Sequence, residues 1–470
     1  MDAAARRSIA TQAAVGLASF LTPFVYGALS VAMPTMGRSF AFAPSEMATV
    51  MMVHLVLSTS CNLPFGRLSD RIGRKRVFMA GSLLFAVSSL LAGMAGATWL
   101  LVAARAVQGV GDAMVFGVSA AILLSTAAPS RAGRVLGGNI AFVYAGSALG
   151  PLAGGALTAS LSWRMVFFLS SALGLAAFVL IWLSYHEAPG PGRSDAGREA
   201  PEPLPAGLDL PGICLFLPAV LSLILGFSLQ PSLAGGGLLA LSAPLFWVLY
   251  RTEAGRKRPL LDVAYIRRNR SFSLANLAST LGYAAGFSTG FLVSLLLQEV
   301  MGLSASQAGG VVLVLPLVMA LSSPLAGRLS DRFHPARVGA SGLVVFGLSV
   351  LALPALGPGT PPVLAAGLLA VAGFGFALFA SPNIHAVMQS ADAAHVGMAS
   401  GLLATTRGLG MCLSLAGTGI VLAALAGPKN AALAGADMLP ALRLCFVLSG
   451  VLGFAAAWVS WRGAGPRIEV

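Results

Sequence analysis

Fourteen apolar runs of bilayer-crossing length, separated by polar connectors, constrain this chain more than anything else in it. A helix needs roughly 20 mostly apolar residues to cross a hydrocarbon core about 30 Å thick. Only helices and closed barrels satisfy their backbone polar groups there. A window of that size finds runs at about 13–36, 47–66, 77–96, 98–125, 135–160 and 164–185, then at 208–229 and 234–251. Six more follow at about 273–298, 306–328, 337–357, 361–386, 397–425 and 440–461. A polar stretch rich in Pro, Gly, Arg and Glu runs from His186 to about Ala206, and a basic amphipathic connector runs from Arg256 to Arg270. The expected domains are a six-helix bundle at 1–186, a linker with two additional spans and the connector at 187–270, and a second six-helix bundle at 271–470. The first run is too long for the core of a cleavable signal peptide, and no small-residue cleavage site precedes a soluble region, so it reads as a permanent helix.

Composition removes the alternatives. Hydrophobic residues make up 57% of the chain and charged residues 10%, against about 45–50% and about 25% in soluble domains. One water-soluble core cannot hide that surplus, and disordered, collagenous or coiled-coil chains need polar or strictly periodic sequence. The fold class is an all-α polytopic membrane protein. The net charge of +13 then reflects Lys and Arg retained on cytoplasmic loops, with no nucleic-acid partner implied. With both termini cytoplasmic, 23 of the 29 Lys and Arg residues fall on that side, against Arg38, Arg164, Lys429 and Arg443 on the other. Arg105 and Arg407 fall inside spans. Cys61, Cys214, Cys412 and Cys445 lie in separate apolar runs, which points to neither a disulfide framework nor a metal site. Nothing in the sequence asks for a cofactor.

The string GRLSDR occurs at Gly66–Arg71 and again at Gly327–Arg332, 261 residues later. Both copies sit at the cytoplasmic end of the second helix of a six-helix block. That supports two homologous bundles with the extra pair inserted between them, and a substrate site near the midplane where the repeats meet.

In these features the chain resembles the major facilitator superfamily over almost its whole length, and looks most like the fourteen-helix drug:proton antiporter branch. The family's G-x-L-x-D-R-x-G-R-[RK] loop is matched by Gly66, Leu68, Asp70, Arg71, Gly73, Arg74 and Lys75. The second copy keeps Asp331 and Arg332 but reads His334-Pro335-Ala336 where Gly-Arg-Lys stood. The fourth span is similar to R-x-x-Q-G-x-G through Arg105, Gln108, Gly109 and Gly111. The fifth matches the antiporter pattern G-x-x-x-G-P-x-x-G-G through Gly146, Gly150, Pro151, Gly154 and Gly155. Pro259–Asp262 looks like the connector before the ninth helix of fourteen-helix members. One departure matters: Val25 stands where drug antiporters often carry an acid before Ala32-Met33-Pro34, which weakens the expectation of cationic drugs. The resemblance implies a monomeric transporter in a bacterial cytoplasmic membrane, exchanging a small-molecule substrate for protons.

Residue chemistry narrows the sites. Arg105, Gln108 and Asp112 are spaced three and four apart, so they share one stripe of a helix. Counted from Trp99 at 1.5 Å per residue, Arg105 lies roughly 10 Å deep and Asp112 roughly 20 Å. Facing lipid, the pair would cost about 5–7 kcal/mol, so both must face the interior. A movement that changes the distance or hydration between them changes proton affinity, which makes them the coupling candidates, with His54 next; the plainer alternative is a static ion pair. Asp70 can accept hydrogen bonds from free N–H groups or pair with arginine, a latch that breaks between conformations. The glycines at 146, 150 and 154 share one face, suited to close packing or to sealing the transporter between states. His186, His334 and His395 read as solvated loop residues, and His54 and His385 as hydrogen-bonded packing residues more than proton relays. Tyr26, Tyr144, Tyr283, Asn383 and Arg407 are the cavity candidates.

The leading expectation is proton-coupled export of small, largely apolar organic compounds. A uniporter or importer of a specific metabolite on the same fold is the alternative. An enzyme or receptor is disfavoured: the spans carry no His and acid cluster at metal spacing and no nucleophile–base pair, and no loop is long enough to fold as a domain.

Overall fold

The computed structural model describes residues 3–126, 132–185, 210–229, 232–254, 262–392, 395–426 and 435–464, and all regular structure among them is helical. The first group is α1 (Ala3–Phe40), α2 (Pro44–Ile72), α3 (Arg74–Gly93), α4 (Thr98–Ser125), α5 (Ala132–Ser160) and α6 (Arg164–Ser184). Next come α7 (Leu210–Ser228), α8 (Leu233–Ala254) and a single short turn of helix, α9 (Val263–Arg268). The last group is α10 (Arg270–Gly286), α11 (Thr289–Leu295) running into a π turn at Leu296–Val300, α12 (Ala305–Val312), α13 (Val314–Arg332), α14 (Pro335–Ala352), α15 (Pro362–Ser390), α16 (Val396–Ala426) and α17 (Gly435–Gly463).

Among the described residues twelve helical segments are long and apolar enough to cross a membrane, against the fourteen expected from sequence. The two not counted are the expected spans 47–66 and 208–229, in each of which some side chains lie outside those described. α2 carries His54, Ser58, Thr59, Ser60 and Asn62 along its middle and charged residues toward its end. α7 is apolar in sequence along Leu210–Ser228, and its longest unbroken run of described side chains is Cys214–Phe227. The expected span 273–298 is not one unbroken helix. It breaks at Phe287–Ser288, where the freed Ser288 N–H donates to Ser414 Oγ on α16 at 3.0 Å. Backbone freed inside a membrane is tolerated when a neighbouring helix satisfies it in this way.

Packing follows the order of the chain. α1 lies on α5 and α6, α2 on α4, and α3 on α4 and α6, while α14 lies on α15 and α17, α13 on α15, and α10 on α16 and α17. The two groups meet where α2 packs on α16 and α5 on α12 and α13. α7 touches both α2 and α16, so the intervening pair lies against that seam.

The two GRLSDR turns are built differently. Gly73, which ends α2, has φ +99°, a region that L side chains rarely adopt. A Cβ on Gly66 would sit 3.3 Å from the Gly117 carbonyl of α4. In the second copy Gly327 has nothing within 4 Å, and the turn is made by His334 at φ −63° with Pro335 opening α14. Pro is pre-organised for a first helical position, so the departure from Gly-Arg-Lys goes with a different turn. Lys75 of the first copy donates to the Trp182 carbonyl near the end of α6 at 2.9 Å.

Candidate functional site

The polar residues expected to share a stripe of α4 meet partners from α1, α2 and α3. Asp112, 4% exposed, is held at both carboxylate oxygens by hydroxyls. Thr22 Oγ1 of α1 donates to one oxygen, and Ser58 Oγ of α2 donates to the other at 2.5 Å. His54 Nε2 lies 3.4 Å from that second oxygen, yet neither ring nitrogen makes a hydrogen bond in this fully packed position. The imidazole sits edge-on to Tyr26, with ring centroids 5.5 Å apart, and to Phe85 at 6.4 Å.

Arg105 has no exposed surface. Its Nη1 donates to Gln108 Oε1, and its Nε makes a long bond, 3.4 Å, to the Val50 carbonyl. Gln108 passes the chain on through Nε2 to Ser89 Oγ at 2.7 Å. Nη2 has no partner, and the guanidinium carbon lies 5.6 Å from the centre of the Tyr26 ring. Tyr26 spends its hydroxyl on the Met51 carbonyl at 3.0 Å. Asp112 and Arg105 therefore share a stripe without touching. The carboxylate is held by hydroxyls and the guanidinium by an amide, so the static ion pair considered from sequence is absent among the described residues.

Across the seam, the Arg407 guanidinium on α16 lies over the Tyr283 ring of α10 at 4.9 Å. Tyr283 meets Phe376 of α15 edge-on at 5.3 Å. Tyr144 on α5 accepts from Ser323 Oγ on α13 at 3.1 Å, joining the two groups. Asn383 is buried in α15. Two residues on, His385 is hydrogen-bonded at both nitrogens, to Ser330 Oγ at 3.3 Å and Gln389 Nε2 at 2.9 Å.

The antiporter-pattern glycines of α5 press on α1. A Cβ at Gly146 would strike the Phe20 carbonyl, and one at Gly150 or Gly154 would come within 2.5 Å of the Phe24 or Ala28 carbonyl. Gly155 turns the other way, and its Cβ would meet the Ala305 carbonyl of α12 at 2.5 Å. Gly309 of α12 packs against the Pro151 carbonyl in return. α5 is thus clasped by α1 on one side and α12 on the other. Asp70, Arg71 and Asp331 lie on helical backbone, but their side chains are outside those described; Arg74 and Arg332 lie at the two turns.

Thr22, Ser58 and Ser89 were not among the sequence candidates. A signal existed: Thr22 and Tyr26, and His54 and Ser58, are each one turn apart in runs otherwise rich in apolar residues. Glu299 and Gln298 were missed as well. They join the groups at the end carrying the α1–α2 turn, where Arg38 Nη1 meets Glu299 Oε1 at 2.7 Å and Gln298 Nε2 donates to the Val31 carbonyl at 2.9 Å.

A sequence profile of the Major Facilitator Superfamily matches residues 15–415, most of the chain. The chain belongs to the Major Facilitator Superfamily. Its curated relatives include a cephamycin export protein from Amycolatopsis lactamdurans, 30% identical over 86% of this chain and 84% of that one. A riboflavin transporter from Clostridioides difficile (strain 630) is 25% identical over 83% and 82%. A multidrug resistance protein B homolog from Mycobacterium tuberculosis is 29% identical over 84% and 72%. Among solved structures, a bacterial homologue of the human lysosomal transporter Spinster, inward-facing and unoccupied, aligns with a TM-score of 0.71 over 98% of this chain and 99% of that one. At 16% identity that likeness speaks to fold alone. This member of the superfamily is accordingly a multi-pass membrane protein of a transporter family, a class whose ligands are small molecules.

Proposed function

We propose that the protein is a secondary active transporter that exports small, largely apolar organic compounds by alternating access, exchanging them for protons at Asp112. The observation that carries this reading is a single acid, deep in the spans, gripped by Thr22 of α1 and Ser58 of α2 with His54 3.4 Å away. A carboxylate on α4 whose partners come from two other helices changes surroundings whenever those helices shift, which is what coupling a proton to a conformational cycle requires. His54 is the neighbouring proton acceptor, and Arg105 with Gln108 fixes the stripe.

Fourteen spans in the arrangement of the drug:proton antiporter branch form part of the proposal. α2 has 29 residues, and α7, at 19 residues, reaches about 28 Å at 1.5 Å per residue. So do two six-helix bundles at 1–186 and 271–470 with 187–270 between them, both termini cytoplasmic by the distribution of Lys and Arg, a bacterial cytoplasmic membrane, and a monomer. Gly66, Asp70, Arg71, Gly73, Arg74, Asp331 and Arg332 are the residues proposed to remake contacts between states.

The riboflavin transporter among the relatives favours a second reading, carriage of one specific metabolite without proton exchange. Reconstitution separates them. In proteoliposomes with an imposed pH gradient, export predicts that adding substrate dissipates the gradient, and that Asp112→Asn abolishes uphill accumulation while energy-independent exchange persists. Accumulation by the variant at the wild-type rate removes Asp112 as the carrier, and substrate movement with no proton flux favours the second reading.

A further inference from the structure

The charges inside the spans do not balance. Away from the helix ends they comprise two arginines, Arg105 and Arg407, and one acid, Asp112. That acid is taken up by Thr22 and Ser58. Among the described residues neither arginine has a carboxylate within ion-pair distance. An uncompensated cation in a membrane interior is costly, and the unpartnered Nη2 of Arg105, with no exposed surface, leaves donor capacity unused.

The two cations are joined by rings. Arg105 lies 5.6 Å from the Tyr26 ring centre, and Tyr26 of α1 meets Phe287, in the break between α10 and α11, edge-on at 5.3 Å across the seam. Phe287 is one helical turn from Tyr283, over which Arg407 sits at 4.9 Å. Three aromatic side chains, Tyr26, Phe287 and Tyr283, with a guanidinium beside the first and the last, thus span the seam from one helix group to the other. The Arg407 end is the more open, being half-buried. Rings offer a flat apolar body a surface to lie on, and a guanidinium offers a carboxylate or sulfonate a fork of donors. A cationic compound placed there would meet positive charge at both ends with, among the described residues, no carboxylate paired to either guanidinium to receive it.

We propose that the substrates are organic anions with a flat apolar body, the anionic group taken up at Arg407 and the body lying along Tyr283, Phe287 and Tyr26. This rests on the transport reading above and adds the sign of the charge.

The test uses two permanently charged probes on one ring system, 1-naphthalenesulfonate and (1-naphthylmethyl)trimethylammonium, with the purified full-length protein. Equilibrium binding is expected to favour the sulfonate by at least about tenfold, equivalent to about 1.4 kcal/mol. Arg407→Gln should remove that preference and Arg407→Lys should keep most of it, so a folding defect in the Gln variant does not decide the matter. Transport of both probes is then followed in proteoliposomes under a pH gradient. Binding that favours the ammonium, equal binding of the two, or binding of neither overturns the inference. Ammonium export under the gradient would do so while leaving the export reading standing. Sulfonate binding with no movement under any gradient keeps the anion site at Arg407 and overturns export.

Discussion

His395 shows how far a loop residue can depart from the solvated role its position implies. It stacks on Tyr265 with ring centres 4.0 Å apart and planes 12° apart. Its Nδ1 is hydrogen-bonded to Asp392, and its Nε2 lies 3.5 Å from Asp262. Asp262 in turn caps α9 by accepting from the Tyr265 N–H at 2.8 Å. The Tyr265 hydroxyl donates to the Ser390 carbonyl at 3.1 Å. This knot ties the connector ahead of α10 to the turn between α15 and α16, with Arg268 and Arg270 beside it in the same cleft. The Asp392 hydrogen bond foremost, with Asp262 adding to it, raises the His395 pKa above the usual 6.5. A raised value means that the protonated ring stabilises the folded knot. That contribution is complete below about 6.5 and is lost as pH climbs through the raised value. Hydrogen-exchange protection at 262–270 is therefore expected to fall as pH rises through that window in the wild type and to vary little with pH in His395→Gln. Equal pH dependence in both proteins would show that the imidazole does not hold the knot.

At the scale of elements, sequence spacing read the α4 stripe and the α5 glycine face well, because charged residues and periodic glycines stand out in apolar runs. It could not see that Asp112 would be met by hydroxyls from α1 and α2, since Ser and Thr are ordinary in membrane helices. Nor could it see the break at Phe287–Ser288, because the group that satisfies the freed Ser288 N–H, Ser414, is 126 positions away. The contact of α5 with α1 gives a direct test. A leucine at Gly154 would drive its side chain into the Ala28 backbone, an overpacking cost of about 1–3 kcal/mol, and transport is expected to stop while the protein still reaches the membrane. Unimpaired transport by Gly154→Leu would mean that this contact opens freely. The two GRLSDR turns yield a ranking. Only the first has the close approach at Gly66 and the positive φ at Gly73, so Asp70→Asn is expected to cost more transport than Asp331→Asn at matched expression. Equal losses would remove the asymmetry.

For the molecule as a whole, the contacts named across the seam run from the midplane to one end. Tyr26 with Phe287 and Tyr144 with Ser323 lie toward the middle. Gln298 with Val31, Arg38 with Glu299, and the glycine contacts of α5 with α12 lie toward the end bearing the α1–α2 turn. In the proposed topology that end faces outward, so these contacts hold the outer side shut and must part when the transporter opens there. The backbone contacts of Gly155 and Gly309 are tight, but they are apolar packing and do not fix which partner slides where. The ion pair does fix it. Arg38 is 57% exposed and Glu299 23%, so the pair contributes only about 0.2–1 kcal/mol. That is small for stability, yet two conformers separated by a few kcal/mol respond visibly to it. Glu299→Gln is thus expected to raise the outward-open population without lowering expression. A cysteine placed at Val31, which is buried in the closed arrangement, should then react faster with an impermeant maleimide added from outside. The double replacement Arg38→Glu with Glu299→Arg should bring the rate back toward that of the unaltered pair. Unchanged labelling in Glu299→Gln would leave the closure to the glycine contacts alone, and failure of the swapped pair to restore protection would mean that Glu299 acts through some neighbour other than Arg38.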